Sequence, residues 1–122
     1  MTIQVLTTDT PHADTECTLD NSADAHALDL TGLTCIRLNF PKFTDGRAYS
    51  QAFVLRRRGF AGDLRAVGDV LVDQLLPMQR NGFSSAVLRA DQDATLASRL
   101  LAAFPGFYQA DAVSRPAVFQ AA

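Results

Sequence analysis

The sequence lacks tryptophan, has only two cysteines and shows no strong excess of either charge sign. Its formal net charge of −2 argues against a nucleic-acid or polyanion binder, which needs a basic excess to neutralise phosphates. No apolar run approaches the roughly 20 residues of a membrane-spanning helix. The first residues also lack the basic stretch and apolar run of a signal peptide. We therefore expect a cytoplasmic protein that contacts neither membrane nor nucleic acid.

Sequence motifs for metals and common cofactors are missing as well. Cys17 and Cys35 have no partner at CxxC or metal-ligand spacing, so nothing predicts a zinc site or an iron–sulfur cluster. Two alternatives follow for this pair, a disulfide or two reduced thiols. A cytoplasmic location favours the reduced thiols. The glycine patterns GxGxxG and GxxxxGK[ST] of nucleotide sites do not occur. The sequence predicts no metal and no cofactor.

The 122 residues, 48% of them hydrophobic and 20% charged, fit one globular domain. Residues 1–33 are weakly patterned and predict a poorly ordered head, in which 3–6 is a short strand and 7–26 are loops. Within those loops, Asn21 or Ser22 is placed to cap a short helical turn through Leu28. Residues 34–104 predict an ordered core, and 105–122 a loose tail.

From residue 34 the chain consists of three successive strand–helix units. Cys35–Phe40 alternates apolar and polar residues, as a strand does. Gly59 follows an amphipathic stretch, as a helix-terminating glycine would. The predicted strands are 35–40, 64–67 and 85–88, and the predicted helices are 47–58, 70–80 and 94–104, with a last short strand at 107–109. These repeats imply an α/β fold with a small parallel sheet and right-handed crossovers.

Two features of this sheet need a physical explanation. Arg37 and Arg65 fall within strands, so each must lie near a strand end or face a polar pocket, because an unpaired buried charge is expensive. Three strands also leave open edges, which short N-terminal strands or a second chain would protect. We therefore expect N-terminal strands at the sheet edge and favour a homodimer.

A candidate site follows from the topology. In open parallel sheets, ligands bind at the carboxyl ends of the strands, where loops lead into helices. The loops 41–47, 68–69 and 89–93 should open there together and bring cationic side chains and free backbone N–H groups to one place, which suits a small oxyanion. The candidate ligand-binding residues are Lys42, Thr44, Asp45, Gly46, Arg47, Tyr49, Arg65, Gly68, Asp69, Arg89 and Asp91.

The charged residues of these loops also have structural interpretations. Asp45, Asp69 and Asp93 stand where helix N-caps belong, and capping by itself accounts for Asp69 and Asp93. Lys42 and Arg47 can be solvated loop charges or ion-pair partners of Asp45.

Two other features have alternative interpretations. The run Arg56 to Arg58 ends the first predicted helix and complements its dipole, with docking on an acidic partner as the alternative. Tyr49 can be an acid–base group or an amphipathic residue at the edge of the core.

The central segment also carries a long pattern. Residues 40–52 read FPKFTDGRAYSQA, residues 64–75 read LRAVGDVLVDQL, and residues 89–92 read RADQ. This pattern resembles a bacterial domain-of-unknown-function family whose members are often labelled oxidoreductases or sulfite-reduction proteins. The resemblance implies a gene beside an assimilatory sulfite reductase haemoprotein. Carried over by position, the motif residues are Lys42, Asp45, Gly46, Arg47, Tyr49, Ser50, Gln51, Arg65, Gly68, Asp69, Asp73 and Gln74.

Three functional hypotheses remain open at this point. The first is an accessory protein of assimilatory sulfite reduction that docks on the reductase or its electron donor and holds a small oxyanion. The second is a small enzyme, an oxidoreductase by the family label, in which Lys42, Asp45, Arg47 and Tyr49 act on a small anionic substrate. The third is a non-catalytic domain whose motif serves folding and dimerisation. No redox motif in the chain supports the oxidoreductase label.

Overall fold

The computed structural model describes residues 2–9 and 16–103, which form a β-sheet with helices. The strands are β1 Gln4–Leu6, β2 Glu16–Leu19, β3 Cys35–Phe40, β4 Asp63–Gly68 and β5 Ser85–Val87. The helices are α1 Arg47–Arg57, α2 Leu75–Arg80 and α3 Ala94–Ala103, and a 3₁₀ turn at Val72–Gln74 leads directly into α2. No helix within these ranges is long and apolar enough to cross a membrane. The predicted strand at 107–109 lies outside the described residues.

The five strands form one parallel sheet in the order β1-β5-β4-β3-β2. This confirms the predicted α/β fold, and the predicted N-terminal strand lies at one edge. The other edge is β2, where the sequence predicts only loops, so that prediction is wrong for Glu16–Leu19. Its four residues become a strand because they pair with β3, from Glu16 opposite Cys35 to Leu19 opposite Leu38. That pairing is a tertiary contact, which local sequence does not encode.

One face of the sheet is apolar and carries the helices. Alternate residues of a strand point to opposite faces, and the register aligns Leu38, Ala66 and Ala86 across three neighbouring strands, all fully buried. The connections from β3 to β4 and from β4 to β5 both step in the same direction, so right-handed crossovers place their helices on the same side. The hydrophobic core therefore lies between the sheet and one layer of helices.

The opposite face of the sheet carries charge. No helix of residues 2–9 and 16–103 packs on it, and we call it the helix-free face. The register aligns Arg37, Arg65 and Ser85 there. The Asp9 carboxylate bridges the two arginines, with Oδ2 2.7 Å from Arg37 Nε and Oδ1 2.8 Å from Arg65 Nη1. A second carboxylate, Glu16, lies 2.7 Å from Arg37 Nη1. Both arginines thus face a polar setting, as their position within strands predicts.

The end of α1 follows the sequence closely. Gly59 has φ +95°, and the N–H groups of Gly59 and Phe60 donate to the carbonyl oxygens of Arg56 and Leu55 at 3.0 and 3.1 Å. These two bonds satisfy carbonyls that the helix end leaves free, as in a Schellman motif. Arg58, predicted as the last helical residue, is the C-cap.

The basic run at this helix end ties loops together. Arg56 Nε donates to the Gly82 carbonyl at 2.8 Å and its Nη1 to the Phe60 carbonyl at 2.9 Å. Arg58 Nη1 donates to the carbonyls of Ala25 and Leu28, both at 2.8 Å. These bonds give two of the three arginines a structural role.

The second helix begins later than predicted. A helix over 70–80 would put Pro77 in its interior, where proline lacks a donor and clashes with the preceding turn. In the structure Pro77 is the third residue of α2, and Leu71 is extended with ψ 154°. The segment before α2 bonds to the next loop instead: Arg89 N donates to Val70 O at 3.0 Å and Val72 N to Gln92 Oε1 at 2.9 Å.

The predicted helical turn through Leu28 does not form. The segment contains separate turns, in which Ala23 N donates to Asp20 O at 3.0 Å and Ala27 N to Asp24 O at 3.1 Å. Local side-chain hydrogen bonds, such as His26 N to Asp24 Oδ1 at 2.9 Å, compete with helix there.

Candidate functional site

Three loops meet at the carboxyl ends of the central strands. We call them the carboxyl rim, consisting of residues 41–47 after β3, 68–71 after β4 and 88–93 after β5. Asp69 connects all three, because its Oδ2 accepts a hydrogen bond from Phe43 N at 2.8 Å and its Oδ1 from Arg89 Nη1 at 2.6 Å. The predicted convergence of these loops is therefore present in the structure.

Arg89 is held by two carboxylates. Its Nη1 bonds to Asp69, and its Nε and Nη2 bond to the two carboxylate oxygens of Asp91 at 2.6 and 2.8 Å. The guanidinium lowers the pKa of both carboxyls, that of Asp91 to about 2. All three side chains thus remain charged at neutral pH.

A second arginine bound to a carboxylate lies at the start of α1. Asp45 accepts two hydrogen bonds from the Arg47 side chain, at 3.2 and 2.9 Å, and one from Arg47 N at 3.0 Å. Asn21, from the turn after β2, donates to Asp45 Oδ2 at 2.5 Å. Bonding to Arg47 lowers the pKa of Asp45 to about 2. Gly46 lies between them as the residue that precedes α1, with open space where a side chain would begin.

Gly68 allows the β4 loop to turn against β3. It has φ +97°, and a Cβ there would come within 2.5 Å of Phe40 O and 2.7 Å of Asn39 Oδ1. The next residue, Asp69, donates its N–H to Phe40 O at 2.8 Å. A glycine is required because both the backbone angle and the close approach exclude a side chain.

The rim also presents residues with free side chains. Lys42 and Thr44 are exposed, and Lys42 Nζ has no hydrogen-bond or ion-pair partner in the described ranges. Phe43 is 43% exposed, and Leu96, in the first turn of α3, is 49% exposed. These are the two exposed large hydrophobic side chains of the described residues, and both lie at the carboxyl edge of the sheet. Exposed apolar groups beside fixed charges are typical of a contact surface.

Tyr49 belongs to the edge of the core. Its ring packs against Phe40 and Phe83, with centroids 5.1 and 6.3 Å away. Burial raises the pKa of its phenol. This favours the structural interpretation of Tyr49 over the acid–base one.

Arg65, a candidate ligand-binding residue, does not lie on the rim. It is at mid-strand on the helix-free face, 3% exposed, where Nε donates to Ser85 Oγ at 3.1 Å and Nη2 contacts Asp63 Oδ2 at 3.1 Å. Strand periodicity carries it to this face, since it is one residue from Leu64 and Ala66, which enter the core. The structure therefore corrects the grouping of Arg65 with the rim residues.

The three aspartates predicted as N-caps differ in their roles. Asp45 lies one residue before the N-cap position of α1, which Gly46 occupies without a side-chain cap, so the cap prediction is wrong for Asp45. Asp93 caps α3, since its Oδ1 accepts from Thr95 N at 2.9 Å and from Leu96 N at 3.3 Å. Asp69 is not a cap, because no helix starts beside it and its carboxylate bonds to Phe43 and Arg89 instead. Its position after a strand and before an apolar stretch matches that of a cap, so sequence alone does not separate the two.

Two polar residues that bond within or to the rim are not among the candidate ligand-binding residues predicted from the sequence. Asn21 reaches Asp45 from a loop 24 positions away, and Gln92 Oε1 accepts from Val72 N. For Asn21 no local signal exists, whereas Gln92 belongs to the RADQ part of the sequence pattern.

The two cysteines lie on opposite faces of the sheet. Cys17 pairs with Ile36 in the β2–β3 register, and Cys35 precedes Ile36, so their side chains point in opposite directions. Both thiols are free. Burial raises the pKa of Cys35 to about 11.

The carboxylates of the rim keep their negative charge near neutral pH. General acid–base catalysis near neutral pH needs a group whose pKa is close to the pH. Asp45, Asp69 and Asp91 have lowered pKa values and stay ionised, so they suit binding better than proton transfer.

Comparison with known proteins identifies a family. Residues 16–119 match the family described as "Bacterial protein of unknown function (DUF934)". No curated protein and no solved structure matches the chain.

Proposed function

We propose, from the premise that the chain belongs to the DUF934 family of bacterial proteins, that it is an accessory protein of assimilatory sulfite reduction. In this proposal it works in the cytoplasm and docks through the carboxyl rim on the sulfite reductase or on its electron donor. The link to sulfite reduction comes from the sequence resemblance, and the docking surface comes from the geometry of the rim.

The observation that carries the docking proposal is the placement of Phe43. Phe43 is 43% exposed, while its backbone N–H donates to Asp69, which is in turn bound to Arg89. An exposed aromatic residue on a loop fixed by ion pairs needs little ordering on binding, so little conformational entropy is lost. Such residues, surrounded by polar groups, are frequent at the centre of protein interfaces.

The oxyanion part of the proposal depends on Lys42. Arg47 and Arg89 are each bound to carboxylates, whereas no described residue pairs with Lys42 Nζ. An anion such as sulfite would meet this ammonium group at the exposed edge of the rim. Lys42→Ala should then weaken sulfite binding, with Arg80→Ala, at the end of α2, as the control.

The enzyme hypothesis receives less support from the site. Its four residues include Asp45, which stays ionised, and Tyr49, whose ring lies among aromatic side chains. A homodimer is compatible with docking and remains a proposal of its own, which sedimentation equilibrium would test.

A binding measurement tests the docking proposal. The full chain would be titrated into the sulfite reductase haemoprotein of the same genome, and separately into its electron donor, by calorimetry. We expect saturable binding to one of them and loss of most of it with Phe43→Ser. The matched control is Phe53→Ser, since Phe53 is a partly buried residue of α1 outside the rim. Absence of binding to both proteins would refute the proposal.

Growth of the host on sulfite supplies a second readout. A strain without the gene should grow poorly when sulfite is the sulfur source and normally on cysteine. The wild-type gene should restore growth, and the Phe43→Ser variant should not.

A further inference from the structure

A groove opens at the amino ends of the strands, at the edge of the sheet opposite the carboxyl rim. One wall is formed by residues 30–34, which precede β3, and the other by the loop 58–62, which joins α1 to β4. Its volume is about 610 Å³, which is within the range of ligand sites. The apolar residues Leu30, Leu33 and Phe60 line it. We call it the amino groove, and the sequence does not predict it.

Arg58 is the one charged residue among the described residues that line the amino groove. Its Nη1 donates to the carbonyl oxygens of Ala25 and Leu28, both at 2.8 Å, so the guanidinium is held in place although no described carboxylate forms an ion pair with it. Asp24 and Asp29 lie within electrostatic reach of Arg58, but neither lines the groove. A ligand in the groove meets apolar side chains and one cation, which favours an apolar ligand with one negative charge.

The loop wall of the groove also offers a backbone donor. Arg56 Nη1 donates to Phe60 O at 2.9 Å, and its Nε donates to Gly82 O at 2.8 Å. Gly82 precedes β5, on one side of β4, and residues 30–34 precede β3, on the other side. The Phe60 carbonyl therefore turns away from the groove. A trans peptide unit points its N–H opposite to its C=O, so the N–H of Ala61 is directed toward the groove, and it donates to no described residue.

Gly62 determines how closely the two walls approach each other. A Cβ at this position would come within 2.5 Å of Thr34 O, on the opposite wall, and within 2.7 Å of the Phe60 ring. Ala61, the preceding residue, is exposed and has only a methyl side chain. The backbone of the loop wall is therefore not covered by large side chains, and a ligand can reach the N–H of Ala61.

We propose that the amino groove binds the C-terminal residue of a partner polypeptide. Its aliphatic side chain lies against the apolar residues, and its carboxylate accepts hydrogen bonds from Arg58 and from the N–H of Ala61. A C-terminal residue carries the carboxylate and the side chain on one carbon atom, which matches a groove with a single cation beside apolar side chains. Capture of a terminal carboxylate by backbone N–H groups is a recurrent mode of peptide recognition. The site is independent of the docking proposal, since no residue of the carboxyl rim is among those that line it.

Nuclear magnetic resonance of the ¹⁵N-labelled full chain tests this site. The probe is the peptide acetyl-Gly-Gly-Leu with a free carboxylate, and two matched peptides change one feature each. Acetyl-Gly-Gly-Leu amide lacks the charge, and acetyl-Gly-Gly-Gly with a free carboxylate lacks the side chain. We expect saturable shifts of the Ala61 and Gly62 N–H signals with the probe, and an affinity about threefold to tenfold lower for each matched peptide. The N–H signal of Gly46, at the other end of α1, is the reference and should not shift.

Two neighbouring arginines supply matched variants. Arg58→Gln removes the charge but keeps an amide that can donate to the carbonyl oxygens of the turn, so the affinity for the probe should fall by about two- to fivefold. In Arg57→Gln it should not change, because Arg57 is exposed at the end of α1 but does not line the groove. Urea unfolding shows whether both variants fold, and if Arg58→Gln does not, the comparison of the acid and amide peptides on the wild-type protein decides.

Four results would overturn the proposal. The first is an Ala61 signal that does not shift with the probe, and the second is equal affinity for the acid and the amide peptide. The third is a loss of affinity in Arg57→Gln as large as that in Arg58→Gln. The fourth is tighter binding of sodium isocaproate, which has the side chain and the carboxylate without the peptide, because the ligand would then be a small acid.

Discussion

Asp69 and Arg89 form an ion pair with 2.6 Å between Oδ1 and Nη1, although they are 20 positions apart in the sequence. The pair joins the loops after β4 and β5, and the second oxygen of Asp69 holds the loop after β3. One carboxylate therefore determines how the three segments of the rim lie relative to each other.

Loss of Arg89 should affect docking more than folding. In Arg89→Ala, Asp69 keeps its bond to Phe43, but the loop after β5 loses its side-chain tie, so we expect affinity for the docking partner to fall by about tenfold. Calorimetry gives the affinity, and thermal unfolding should show little change, because the side chain is exposed. Arg99→Ala, on the exposed side of α3, is the control. A large loss of thermal stability in Arg89→Ala alone would contradict this assignment.

Substitutions at Gly59 and Gly68 distinguish the energetic cost of a positive φ from the cost of a steric clash. Both have positive φ, but a Cβ at Gly59 meets nothing within 4 Å, while one at Gly68 comes within 2.5 Å of Phe40 O. We expect Gly59→Ala to lower the free energy of unfolding by about 1 kcal/mol and Gly68→Ala by about 2–4 kcal/mol. Urea denaturation measures both. Equal effects would mean that the β4 loop moves away from β3 without cost.

Replacement of rim cations should leave the fold intact. Lys42 and Arg47 are exposed, so Lys42→Ala and Arg47→Ala should leave the midpoint of urea unfolding close to that of the wild type. Leu38→Ala, at a fully buried position of β3, should cost about 2–5 kcal/mol through lost packing and a cavity. If either rim variant approached the effect of Leu38→Ala, the rim would be part of the core and not a surface.

Acid should destabilise the protein through the rim carboxylates. The folded-state pKa of Asp45 and Asp91 is about 2, below the value of about 3.9 for an unfolded aspartate. The unfolded chain therefore binds protons first as the pH falls, so this stabilisation is complete above about pH 5 and is lost between about pH 4 and pH 2. Urea midpoints measured from pH 6 to pH 2 should decrease, and Asp45→Asn should reduce the slope. An unchanged slope in that variant would show that Arg47 does not hold Asp45 in solution.

The two thiols should differ in reactivity. Cys35 is fully buried with a pKa of about 11, so little thiolate forms near neutral pH, whereas Cys17 is partly exposed. A thiol reagent at pH 8 should modify Cys17 in the native protein and Cys35 only after denaturation. Trypsin releases both cysteines in one peptide, residues 1–37, so fragment-ion mass spectrometry of that peptide identifies the modified residue. Rapid modification of Cys35 under native conditions would show that the helix-free face opens.

Local sequence determines the three central strand–helix units. The alternation of Cys35–Phe40, the glycine that ends α1 and the Asp93 cap of α3 are signals read within a few residues, and each has its expected role in the structure. The place of the rim also follows from the chain, because parallel strands with right-handed crossovers bring their carboxyl ends to one edge. The sequence also contains a signal for the late start of α2 that the predicted helix over 70–80 did not use, because Pro77 is compatible with the first turn of a helix but not with its interior.

Only the tertiary structure decided the features that depend on contacts between residues distant in the sequence. β2 becomes a strand because β3 lies beside it, and Asp69 bonds across two loops where its sequence position matches that of a helix cap. Arg65 lies away from the rim because its register with Arg37 places both side chains on the face where Asp9 binds them. Asn21 bonds to the rim residue Asp45, which is 24 positions away in the sequence. Local patterns carry no record of these pairings, since each is formed by atoms that meet only when the sheet has assembled.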